Sequence, residues 1–155
     1  MILLYKDLLL AYEGLINNEN YEISLLANTS AFIYEHINNL NWVGFYNHID
    51  NKLILGPFQG KVACNVIEPG RGVCGSSLVE KKTIVVDDVA NHPNHIYCDF
   101  NSKSELVIPI IINDNVYGVL DLDSPVLSRF DNELVSFLED VVSLLTKKLN
   151  MIKKK

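Results

Sequence analysis

The sequence predicts an α+β fold, an antiparallel sheet flanked by terminal helices. Apolar residues recur at helical spacing towards both ends of the chain. Short apolar runs separated by polar turn residues fill the middle. No internal repeat or low-complexity linker divides the 155 residues, so residues 1–155 read as one domain. A chain of this length buries roughly 70% of its unfolded surface and needs no disulfide staple to fold.

The first sixteen residues, MILLYKDLLLAYEGLI, predict a short helix ending near Asn17 and Asn18. Ile23, Leu26, Ala27, Ala31, Tyr34 and Ile37 mark the apolar face of a second helix. NWVGFYNHIDNKLILGPF reads as a hairpin, with its turn at Asp50 and Asn51. SLVEKK predicts a short helix after a Gly-rich turn, and TIVVDDV a strand. ELVIPIIINDNVYGVLDLD predicts two strands around an Asn-Asp-Asn turn. Leu134, Phe137, Leu138, Val141, Leu145, Leu149 and Ile152 then line one face of a long helix, with Asp131 as its N-cap.

Bulk chemistry excludes several classes. A net charge of −6 argues against a nucleic-acid binder, whose phosphate contacts need an excess of cations. The basic tail KKLNMIKKK complements the C-terminal end of a helix dipole. Lys6 and Asp7 interrupt the N-terminal apolar run, unlike a secretory signal. No run approaches the ~20 apolar residues of a membrane span. A cytoplasmic location is expected, where cysteines rest as thiols and disulfides are transient and chemical.

Alternation along the last two strands places side chains on faces. In YGVLDLDS, Leu120 and Leu122 share one face with Gly118, and Tyr117, Val119, Asp121 and Asp123 share the other. In SELVIPI, Leu106, Ile108 and Ile110 share a face and Glu105 leads the opposite one. This pattern fits either a solvated face or an acidic pocket for a cation. The three cysteines, Cys64, Cys74 and Cys98, are the remaining reactive groups. Cys98 lies in a polar segment between His95 and Asp99, and Cys74 lies where a helix start would lower its pKa. Local chemistry leaves both open as the attacking thiol.

The segments NWVGFY, LGPFQGKVAC, GRGVCG, HIYCD, SKSELVIPI and GVLDLDSP…RF occur in this order. Together they resemble the free methionine-(R)-sulfoxide reductases, single-domain enzymes of the GAF fold, over residues 21–145. The resemblance implies a six-stranded antiparallel sheet with the N- and C-terminal helices packed on one face and the ligand pocket on the other. It implies reduction of free methionine-(R)-sulfoxide, with Cys98 as nucleophile, Cys64 as resolving thiol and Cys74 as auxiliary. A sulfenic acid and then a disulfide would form, and a thioredoxin-type reductant would reopen it. This chemistry calls for no cofactor and no metal. Glu105, Asp121 and Asp123 would hold the α-ammonium, and one of them, kept protonated by its neighbours, would protonate the departing oxygen. Trp42 and Tyr46 would wall the pocket.

The chain departs from the family pattern in one loop. Where the family often reads Pro-Gly-His-Ile-Ala-Cys-Asp, this chain has Asn94 and Tyr97 in place of the Gly and Ala. Val66 also stands where an arginine often follows the first cysteine. Two other classes remain: a GAF module that binds a small ligand without chemistry, and a zinc site built from His92, His95, Cys98 and an upstream cysteine. The apolar segment around Leu4, Leu8 and Leu15 is expected to pack on the long helix or on a second copy, and a homodimer is predicted.

Overall fold

Turn chemistry sets the two long hairpins. Asp50 and Asn51 have φ of 52° and 59°, and Asn113 and Asp114 have 52° and 65°. Consecutive left-handed residues make the tight turns whose twist matches paired strands, and Asn and Asp tolerate them best. The first turn joins β1 (Trp42–Ile49) to β2 (Lys52–Gly60), and the second joins β5 (Ser104–Ile112) to β6 (Asn115–Ser124). Two short strands complete the sheet, β3 (Val66–Ile67) and β4 (Ile84–Val86). The strand order is β3-β2-β1-β6-β5-β4, antiparallel throughout. The computed structural model describes residues 2–153, with side chains from residue 4 onward. Met1, Lys154 and Lys155, the ends of the predicted first helix and of the basic tail, lie outside the described residues.

Helices α1 (Ile2–Ile16), α2 (Glu22–His36) and α4 (Asn132–Lys153) cover one face. Their apolar side chains enclose Val43, Phe45, Leu106, Ile108, Leu120 and Leu122. The Asp131 carboxylate accepts a 2.9 Å hydrogen bond from the Leu134 amide, which is the predicted N-cap. Helix α1 packs on α4, where Tyr5 stacks on Phe137 with ring centroids 4.9 Å apart. Its buried line is Leu8, Tyr12 and Ile16, whereas Leu4 and Leu15 are exposed.

Two face assignments need correction. In α2 the buried residues are Leu25, Leu26, Thr29, Ser30, Phe32 and Ile33, whereas Ile23 and Tyr34 are exposed. Thr29 and Ser30 can lie inside because their hydroxyls donate to the carbonyls of Leu25 and Leu26, one turn back. The Tyr12 hydroxyl closes the arrangement at 2.7 Å from Thr29 Oγ1. In β6 a register shift opposite Ile110 and Ile111 puts one extra residue into the strand. Tyr117 therefore leaves the face of Val119 and Asp121 and packs on the helix side.

The other face carries a second apolar cluster and the remaining helix, α3 (Gly72–Glu80). This helix starts five residues before the predicted SLVEKK segment and ends ahead of Lys81, which takes a left-handed C-cap conformation. Cys74 consequently sits inside its first turn.

Candidate active site

Strand alternation aims three carboxylates into one pocket. Asp121 lies opposite Val107 on β5, and Asp123 lies opposite Glu105, so all three acids project from two neighbouring strands to the face away from the long helices. Tyr46 from β1, Cys74 and Arg71 from the start of α3, and His95, Cys98 and Asp99 from the loop before β5 complete the walls. Trp42 lines an adjoining cleft with Tyr46, Cys98, Asp121 and Asp123. The predicted site residues Trp42, Tyr46, Cys64, Cys74, Cys98, Glu105, Asp121 and Asp123 thus converge on one region.

Gly44 makes the aromatic wall possible. A β-carbon there would lie 2.3 Å from Phe58 Cβ and 2.7 Å from the Trp42 ring. Without one, Trp42 stacks on Phe58 at 5.1 Å and on Tyr46 at 5.9 Å. Trp42 Nε1 donates to the Lys61 carbonyl and the Tyr46 hydroxyl to the Cys64 carbonyl, at 3.1 and 2.9 Å. The wall thereby positions the loop that carries Cys64.

Cys64 and Cys98 form a disulfide at the edge of the pocket, which Cys98 lines, with Cα atoms 5.5 Å apart and a sequence separation of 34. Both are partly exposed. Cys74 is a free, buried thiol. Its sulfur and carboxylate oxygens of Glu105 and Asp121 lie within 4.8 Å of one another. Burial, and then the charges of Asp121, Glu105 and Asp123, push the Cys74 thiol well above its ordinary pKa. The helix start at Cys74 does not offset this, so the reading of Cys74 as a low-pKa thiol is overturned.

The same crowding acts on the acids. Burial and then Asp123 push Glu105 up to about 8. Burial and then Glu105 raise Asp121, and burial and then Asp121 raise the half-buried Asp123. Asp121 Oδ1 is buried and meets no hydrogen-bond partner within the chain. Asp99 goes the other way. Burial works against its ionisation, but the Asn101 amide, the Asn41 side chain and the Lys61 charge outweigh it and hold the carboxyl below its usual range.

His95 is a site residue that the sequence placed beside Cys98 and assigned a task only in the alternative zinc site. Its Nε2 lies 3.0 Å from Glu105 Oε1, and its side chain is 4% exposed. Burial lowers its pKa, so at neutral pH a neutral imidazole faces a protonated carboxyl. That contact occupies His95, and the disulfide occupies Cys98, two members of the proposed zinc set. Among the described residues the group with metal-ligand spacing is Cys74, Glu105 and Asp121 instead.

The departures in the Cys98 loop have structural uses. The Asn94 side chain donates to the Gly70 carbonyl and ties the loop to the turn before α3. Gly72, at φ +61°, lets Ile96 of the loop pack against that turn, since a β-carbon there would meet Ile96 at 3.2 Å. Tyr97 projects outward and stacks on Phe100. Closed in this way, the pocket has a cavity of about 30 Å³, room for one or two waters.

The chain is similar to known proteins over most of its length. The GAF domain family matches residues 16–149. The free methionine-R-sulfoxide reductase of Escherichia coli strain K12 is 43% identical over 145 residues, covering 94% of this chain and 88% of that protein. The fRMsr of Staphylococcus aureus in its reduced form superposes with a TM-score of 0.91 at 46% identity, covering 94% of each chain. The free methionine-R-sulfoxide reductase of Neisseria meningitidis, in complex with its substrate, superposes with a TM-score of 0.94 at 38% identity, covering 99% of this chain and 92% of that one.

Proposed function

The chain belongs to the free methionine-R-sulfoxide reductase family of GAF-fold oxidoreductases, and we propose that it reduces the free amino acid through a cycle carried by Cys98, Cys64 and the three pocket carboxylates. The observation that carries this reading is the bonded cysteine pair above a pocket floored by Glu105, Asp121 and Asp123.

In the reduced protein the Cys98 thiolate attacks the sulfoxide sulfur. A carboxyl proton passes to the sulfoxide oxygen, and the resulting hydroxyl moves from the methionine sulfur to the Cys98 sulfur as the transient bond between the two sulfurs breaks, so that methionine leaves and Cys98 holds the oxygen as a sulfenic acid. The Cys64 thiolate then displaces that oxygen as water and forms the Cys64–Cys98 disulfide. A dithiol reductant of the thioredoxin type supplies two electrons to reopen it. Cys74, whose thiol is strongly disfavoured as thiolate, stays outside the main cycle as an auxiliary.

The carboxylates serve two tasks. An entering α-ammonium favours the ionised form of the nearest acid and displaces its proton. Glu105, raised to about 8, keeps a proton at neutral pH and is the proposed donor to the sulfoxide oxygen. Trp42 and Tyr46 would hold the S-methyl group. A whole amino acid exceeds the closed cavity, so substrate entry requires the Cys98 loop, with His95, to move away from Glu105.

The test is methionine formation from free methionine-(R)-sulfoxide, its (S) epimer and the N-acetylated (R) compound, each offered separately. The free (R) compound should turn over. N-acetylation removes the cation and should lower the rate by about ten- to a hundredfold, the worth of one charge-assisted hydrogen bond. Equal rates on the free and acetylated compounds would sink the role given to the carboxylates.

A further inference from the structure

We infer that an exposed aromatic pair beside the disulfide is the docking platform for the protein dithiol that reopens it. This inference rests on the disulfide cycle proposed above and names the partner surface of the same site.

Phe100 is 87% exposed and Tyr97 is 40% exposed, yet their rings stack almost parallel, with centroids 5.9 Å apart and planes 9° from each other. Tyr97 is braced from behind by the edge of His95, at 4.5 Å. The loop thus holds Phe100 in water against the ordinary tendency of a large apolar ring to turn inward. On the facing loop Val62 is 89% exposed. The disulfide brings the two loops to a Cα separation of 5.5 Å, and Phe100 and Val62 each lie two residues from a bridged cysteine. Each bridged cysteine thus has an exposed apolar side chain two residues away along its own loop.

Thiol–disulfide exchange dictates what must cover them. A partner thiolate attacks one sulfur of the bridge, the S–S bond breaks, and the other cysteine leaves as a thiolate that takes up a proton. The partner's second thiolate then attacks the mixed disulfide, the enzyme's other cysteine leaves, and the partner carries away its own disulfide. The partner's first sulfur must come within bonding distance of the bridge, so its surface lies over Phe100, Val62 or both. An aromatic ring at the centre of such a contact is the residue type that concentrates binding energy. A protein with an apolar rim around its reactive thiols gains from this platform, whereas a small dithiol does not.

The experiment uses the oxidised full chain and follows reduction of Cys64–Cys98 by alkylation and mass measurement, with no methionine sulfoxide present. Wild type and Phe100→Ala are each treated with thioredoxin and, separately, with dithiothreitol. Phe100→Ala should reduce the second-order rate with thioredoxin about fivefold or more, the loss expected of an aromatic docking residue, and leave the dithiothreitol rate within about twofold. Phe100→Trp should restore the thioredoxin rate. Equal thioredoxin rates in wild type and Phe100→Ala overturn the inference. So does an equal loss with both reductants, which would make Phe100 a support of the loop, and so does a wild-type disulfide that dithiothreitol opens and thioredoxin does not. Failure of the proposed catalysis is a separate result, namely no methionine from the sulfoxide with any reductant.

Discussion

At the scale of single residues, the three cysteines divide by environment. Cys98 and Cys64 lie on partly exposed loops, and Cys74 lies beneath them among carboxylates that oppose its ionisation. Without reductant, Cys98→Ser should release no methionine. Cys64→Ser should release about one equivalent and keep a sulfenic acid at Cys98 that dimedone labels. Cys74→Ser should leave both the burst and the recycling rate near wild type. A burst from Cys98→Ser would move the nucleophile elsewhere. Glu105 supplies a pH prediction with a definite sign. Its pKa in the folded protein, about 8, lies above the ordinary 4.5, so the folded state binds the extra proton between these values. Stability therefore falls as pH rises through that window, by an amount on the order of a few kcal/mol. Glu105→Gln should lose this fall, so its melting temperature relative to wild type should climb from pH 5 to pH 8. If Glu105 is also the proton donor, the wild-type rate should decline above about pH 8.

At the scale of elements, two positions test the supports of the site. Gly44 lies between Trp42 and Tyr46 on β1, and the Phe58 β-carbon occupies the space an alanine methyl would need. Phe58 Cβ belongs to a paired strand and cannot swing aside as a flexible side-chain end would. Gly44→Ala should cost about 1–3 kcal/mol of stability by overpacking and also lower activity by disturbing the Trp42 stack. Chemical denaturation and a methionine assay read the two effects separately. Asp131 caps α4 on the opposite face, far from the chemistry. Asp131→Ala should cost about 1 kcal/mol, a fall of roughly 2–4 °C in melting temperature, with activity kept at temperatures below the transition.

At the scale of the whole molecule, the sheet separates support from chemistry. Three helices cover one face, and α3 with the cysteine loops covers the other. No helix among the described residues is long and apolar enough to cross a membrane. Helix α1 packs on α4 yet leaves Leu4, Leu10 and Leu15 exposed. Scattered exposed leucines are ordinary, but three on one short helix, together with a separate groove between α1 and α4 lined by Tyr5, Leu9 and Phe137, favour association of two copies. We expect a homodimer, and light scattering at micromolar concentration checks it. A monomeric mass there would leave α1 as a purely internal support.

The sequence by itself determined the features that depend on local spacing. Asn and Asp at the two hairpin tips, the Asp131 cap, the alternation of Leu106, Ile108 and Ile110 against Glu105, and the ordered motifs around Cys64, Cys74 and Cys98 are each encoded within a few residues. Those motifs also sufficed to identify the family. Tertiary structure alone decided how distant groups act on one another. The bulge at Tyr117 arises from pairing with β5, and Thr29 and Ser30 are buried because hydroxyls can satisfy themselves on their own helix. The thiol pKa of Cys74 was the sharpest case. A helix start promises a thiolate, but desolvation and three carboxylates from strands about thirty to fifty residues further along the chain reverse the sign. The pairing of His95 with Glu105 and the outward stack of Tyr97 on Phe100 belong to the same class. Charge and solvation act through space, and only the folded chain sets those distances.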